Sequence, residues 1–267
     1  MTQPSATPPV SSFRPASGWQ HGAAPEPTLA RASRSGLLVP GILLVAAFLV
    51  IGSQGAASTL SVGMPSGLDL VTTIALWSTS GVVLATLFAL ASRVTGLVVA
   101  AGAAALLDAV VIVVLMPMGR TSGWDAVQLV PILLAVAAAA LGVLTRRDGE
   151  GRAALLMAAA AVALFYVSAA VVQVLRTGEA TDLAATLARS LPIAALAIAS
   201  ALALHGSSTP ALPAVLLWAL ALSLFIAPAL AAAAGTPPVL ASLVVLLLRG
   251  LLVLLAGVLV LRTSRRR

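Results

Sequence analysis

Residues 95–116 read TGLVVAAGAAALLDAVVIVVLM, an apolar run interrupted by a single charge, Asp108. As a helix rising ~1.5 Å per residue it is about 33 Å long, enough to cross a hydrocarbon layer of ~30 Å. A water-facing helix of that length would carry a polar stripe, and this one has none. Its Ala- and Leu-rich composition lacks the period-two alternation of a membrane barrel strand. In lipid, backbone polar groups are then satisfied only by a helix.

Similar runs recur on either side. The spans read from the sequence are 36–56, 69–91, 95–116, 125–145, 153–175, 183–204, 211–233 and 239–262. The whole chain is 60% hydrophobic and 9% charged, against about 25% charged in soluble domains. The expected fold class is therefore all-α, a polytopic membrane bundle of eight transmembrane helices in four successive hairpins. Residues 36–262 form the bundle. Residues 1–35, rich in Pro, Ser and Ala, have no apolar periodicity and read as a disordered cytoplasmic tail. Residues 263–267 read as a basic cytoplasmic C-terminus. A cleaved signal peptide is the competing reading of the first run, but its polar lead and its apolar run are both long for one.

The net charge of +7 comes from fifteen basic residues, all Arg, set mostly between the apolar runs. That distribution is a topology signal and not a phosphate-binding face, so no nucleic-acid partner is expected. With the N-terminus in the cytoplasm, the inner segments hold Arg14, Arg31, Arg34, Arg93, Arg146, Arg147, Arg152, Arg262, Arg265, Arg266 and Arg267, and the outer loops only Arg120 and Arg176. This positive-inside bias places both termini in the cytoplasm. The absence of Lys beside abundant Ala and Arg fits a GC-rich bacterial genome, hence a bacterial cytoplasmic membrane.

A weak repeat places Asp69, Asp125 and Asp182 at the outer start of successive inward-running helices, with SGLD, SGWD and EATD leading into them. Aspartate favours the positive end of a helix dipole, and hairpins of bilayer-matched length repeat at this period by themselves. Helix capping explains the pattern better than an outer ring of cation-attracting carboxylates does.

The chain has no cysteine and two histidines, His21 and His205. It lacks the HExxH, G-x-S-x-G and P-loop motifs, and no metal cluster or cofactor site is expected. A nucleophilic serine in STSG, residues 78–81, would need a histidine base, and His205 falls at a helix end. No enzymatic activity is expected.

Three charges fall inside the spans: Asp108, Arg189 and Arg249. From the rise per residue, Asp108 lies about 4 Å, Arg249 about 2 Å and Arg189 about 7 Å from the midpoint of its own span. A charge at the bilayer centre costs about 2.5–3.5 kcal/mol on insertion scales, so such groups face the bundle interior and pair. Depth matching pairs Asp108 with Arg249. The pair reads as a structural ion pair or as a substrate or proton site, with the surplus Arg free to meet an anion. Ser78, Thr79 and Ser80 of STSG, with Tyr166, complete the candidate polar site at similar depth.

These residues point to a small transporter or permease component whose surroundings are the lipid bilayer. No motor is encoded, so a gradient or an ATPase partner subunit would supply energy. The alternative is a non-catalytic subunit or scaffold that binds a membrane partner through Ala-rich helix faces such as AVAAAALG, residues 135–142, and AAAAVAL, residues 158–164.

Overall fold

The computed structural model describes residues 36–62, 66–119, 125–145, 151–177, 181–207, 209, 211–233 and 240–265. The expected tail, 1–35, and the final residues 266–267 lie outside them. Among the described residues 94% are helical and none is in a strand: α1 (Leu38–Leu49), α2 (Ile51–Val62), α3 (Gly67–Ser92), α4 (Thr95–Leu115), a 3-10 turn (Asp125–Gln128), α5 (Leu129–Leu144), α6 (Gly151–Thr177), α7 (Thr181–Gly206), α8 (Ala211–Ala233) and α9 (Leu240–Arg265). Five helical stretches are long and apolar enough to cross a membrane: Gly67–Ser92, Thr95–Leu115, Ala126–Leu144, Gly151–Leu175 and Leu243–Thr263.

The first apolar run differs from the expected single helix over 36–56. It forms α1 and α2, separated at Val50, and continues to Val62. The local cause lies in the sequence IGSQG: the Ser53 hydroxyl and amide both turn back to the Val50 carbonyl, at 2.6 and 3.0 Å. Such a side-chain bond competes with the helical ladder. Both pieces stay against α3. A Cβ on Gly41 would meet Ser92, one on Gly81 the Phe48 carbonyl, and one on Gly52 Ser78 and Ile74. The pair α1–α2 therefore runs antiparallel along α3 as one rod.

Helix ends follow local chemistry. Ser66 and Asp69 cap α3 with a reciprocal capping box, the Asp69 amide bonding the Ser66 hydroxyl and the Ser66 amide bonding the Asp69 carboxylate. This is the capping role expected of Asp69. At the other end Arg93 takes the left-handed conformation, φ 58°, and stops α3, so that α4 starts at Thr95 after the shortest of turns. The boundary expected at Arg93 is where the chain turns. Pro40, Pro131 and Pro213 each fall in the first turn of a helix, where a missing N–H costs nothing.

Consecutive helices pack side by side, and α9 closes the circuit by packing on α8 and on α1. Helix α3 is the hub: it packs against α1, α2, α4, α5, α6 and α7. Its second half, Gly81–Ser92, is buried throughout. The outer helices are sided. On α4 the small residues Ala101, Ala105 and Ala109 face inward with Ile112, while Leu106, Leu107, Val110, Val113 and Val114 are all at least half exposed. On α9 Gly250, Val253, Ala256 and Val260 face inward, and Val244, Leu247, Leu248, Leu251, Leu254 and Leu255 face out. Small residues inside and branched apolar ones outside are the arrangement of helices packed within lipid. Contiguous exposed apolar faces of this extent are not found on soluble monomers. The molecule has the character of a multi-pass membrane protein.

Candidate functional site

The site begins with a hairpin register. The turn at Arg93 lies fifteen residues after Ser78 and fifteen before Asp108, so an antiparallel α3–α4 pair sets the two at one level. Asp108, 6% exposed on the inner face of α4, accepts hydrogen bonds from two consecutive hydroxyls of α3. The Ser78 hydroxyl reaches Oδ1 at 2.5 Å and the Thr79 hydroxyl reaches Oδ2 at 3.0 Å. Both hydroxyls also lie within reach of the Ala75 carbonyl one turn earlier, at 2.9 Å from Ser78 and 3.1 Å from Thr79. Each carries one hydrogen, so each has a choice of two acceptors.

The expected partnership of Asp108 with Arg249 does not form. The carboxylate is bound by α3, and Arg249 sits on α9, whose main packing partners are α1, α2 and α8. Depth matching carried no information about which helices are neighbours: α9 packs on α1, and α4 packs on α3 and α5.

Arg249 is 7% exposed, and its guanidinium carbon lies 5.8 Å from the centre of the Phe48 ring. Phe48 in turn stacks on Phe88 of α3, with ring centres 5.2 Å apart and planes 2° from parallel. Tyr166 of α6 lies edge-to-face with Phe165 of its own helix, the ring centres 5.4 Å apart. The Nε of Arg249 is buried with no hydrogen-bond partner. A cation over an aromatic face gains about 0.5–2 kcal/mol, which offsets only part of the cost of burying it.

The polar residues expected at one site thus separate. Asp108, Ser78 and Thr79 form one group; Arg249 stands apart over Phe48, and Tyr166 packs on Phe165. Ser80 joins neither: its hydroxyl bonds the Trp77 carbonyl of its own helix, at 3.3 Å, on the exposed side. Arg189 stands on α7, and its side chain is outside the described part. Phe48 is the residue that sequence reasoning missed. One phenylalanine in an apolar run carries no mark of its partner. The Ser78–Asp108 bond, by contrast, could have been found from the equal distances to Arg93.

His205 closes the opposite end of the bundle, just beyond the apolar run 183–204. Arg93 donates from Nη2 to the His205 carbonyl at 2.6 Å and from Nε to Nδ1 at 3.4 Å. Burial, then Arg93 and Arg152 beside it, pull the imidazole down to about 4, in keeping with a neutral ring that accepts from Arg93. This is a helix-end clamp between α3 and α7.

Comparison with protein-family models, with curated proteins and with solved structures finds no match.

Proposed function

We propose that the protein is a small transporter or permease component of a cytoplasmic membrane, that it moves an anionic solute, and that Arg249 is the group that meets the anion. One observation carries this reading: a guanidinium buried near the middle of α9 with a bare Nε. The helices packed on α9, namely α1, α2 and α8, contain no Asp or Glu, and neither does α9 itself. Intramembrane cations pair with something, and a site without an internal counter-charge suits an external one. The Phe48 ring beside it supplies an apolar wall.

In this reading the rod α1–α2 and helices α3 to α9 make eight crossings, with both termini on the arginine-rich inner side. The protein performs no covalent chemistry, and a gradient or a separate ATPase subunit drives it. The scaffold alternative has less surface to work with. Ala135, Ala138 and Ala139 of α5 and Ala154, Ala158 and Ala161 of α6 are buried inside the chain. Their small side chains serve the contact between α5 and α6, where Gly142 approaches Ala154.

The test is reconstitution of the full chain in liposomes and electrical recording on solid-supported membranes during concentration jumps of acetate, benzoate, phosphate and sulfate. At least one anion should give a current that Arg249→Met abolishes. Silence across the panel, or a current that persists in Arg249→Met, rejects the reading.

A further inference from the structure

The Asp108 site has a property that a structural hydrogen bond does not require: it can hold a proton or release it without any helix moving. We propose that Asp108 is a reversible proton-binding site, served in its two states by rotation of the Ser78 and Thr79 hydroxyls between Asp108 and the Ala75 carbonyl. The inference rests on the geometry of this site and is independent of the anion reading.

In the deprotonated state both hydroxyl hydrogens point at the carboxylate, Ser78 to Oδ1 and Thr79 to Oδ2. In the protonated state the new O–H on Oδ1 donates to the Ser78 oxygen. The Ser78 hydrogen then turns to the Ala75 carbonyl, 2.9 Å away. Thr79 can serve Oδ2 in the same way, its hydrogen turning to the Ala75 carbonyl at 3.1 Å. One proton enters, one hydroxyl rotates, and every donor keeps an acceptor in both states. A helix carbonyl has a second lone pair, so the Ala75 oxygen can take the extra bond without losing its own.

The surroundings leave the proton as the species that balances this carboxylate. The helices packed on α4 are α3, α5 and α1. Helices α1 and α5 carry no ionisable side chain. On α3 the only one is Asp69, in the first turn, and Arg93 caps its far end. Along the helix these lie about 14 Å and about 23 Å from the level of Ser78. On α4 itself Asp108 is the only charged residue. A buried carboxylate that faces no cation is balanced by taking a proton. A permanently charged ion pair, the arrangement that depth alone suggested, would not do this.

The test is infrared difference spectroscopy of the full-length protein in lipid nanodiscs, titrated between about pH 4 and pH 9, a range that spans the shifts buried carboxyls show. A carboxylic C=O band should rise and fall reversibly with pH, and Asp108→Asn should delete that band. Ser78→Ala with Thr79→Val should keep the band but move it to higher frequency, as for a carboxyl with fewer hydrogen bonds. Circular dichroism of each variant checks that the helices remain. Wild type and Asp108→Asn giving the same difference spectrum across the range would overturn the proposal. So would a band that the double hydroxyl variant leaves at the same frequency. Because protonation is read without any solute, a failed anion assay leaves this result standing, and a failed titration leaves the anion assay standing.

Discussion

At the scale of the residue, two buried charges of opposite sign do not meet. Asp108 is held by hydroxyls of the neighbouring helix, and Arg249 lies over an aromatic ring. The distinction is measurable. Breaking a buried ion pair by removing one partner costs about 3–5 kcal/mol in soluble proteins, and removing both recovers much of it. Residues without shared partners instead add to within about 0.5 kcal/mol. Thermal unfolding in detergent of Asp108→Asn, Arg249→Met and the double variant should therefore show near-additive effects, with a coupling below about 0.5 kcal/mol. A coupling several times larger would restore the ion pair and remove the basis for two separate sites.

At the scale of the element, α3 decides the architecture because it is touched from nearly every side. Its fit against the α1–α2 rod depends on Gly81, where an added Cβ would run into the Phe48 carbonyl. Backbone cannot rotate out of the way as the end of a side chain can. Gly81→Ala should push α1 off α3, disturb the Phe48–Phe88 stack, and cost about 1–3 kcal/mol, the usual range for overpacking. Gly96→Ala is the control: nothing lies within 4 Å of the new methyl, and alanine is the better helix former by up to about 1 kcal/mol. Equal melting temperatures for the two variants would show that the close approach at Gly81 does not matter to the fold.

At the scale of the whole molecule, the clustered arginines lead to an expected orientation that can be tested. Reporter fusions after Gly149 and Arg267 should read as cytoplasmic, and fusions after Ala57, Ser122 and Ala180 as external. Arginine bias and helix length motivate this arrangement. An external C-terminus would give an odd number of crossings, and the α1–α2 rod would then be the element to re-examine.

What the sequence determined by itself was local in origin. Hydropathy over a window as long as the bilayer is thick marks a crossing helix, and Asp69 and Arg93 mark ends through capping and turn chemistry. These signals need no knowledge of distant residues, so all-helical structure, the turn at Arg93 and the contact between the Ala-rich α5 and α6 were all legible. The break at Val50 was missed because a serine–carbonyl bond is a small local effect inside a strong apolar signal. Whether a polar side chain on one helix meets one on another depends on which helices are neighbours and how each is turned about its axis. Hydropathy reports neither, because in lipid every outward face is equally content. Only the tertiary structure, by closing α9 onto α1 and placing α3 at the hub, decided that Asp108 would find two hydroxyls and Arg249 a phenyl ring.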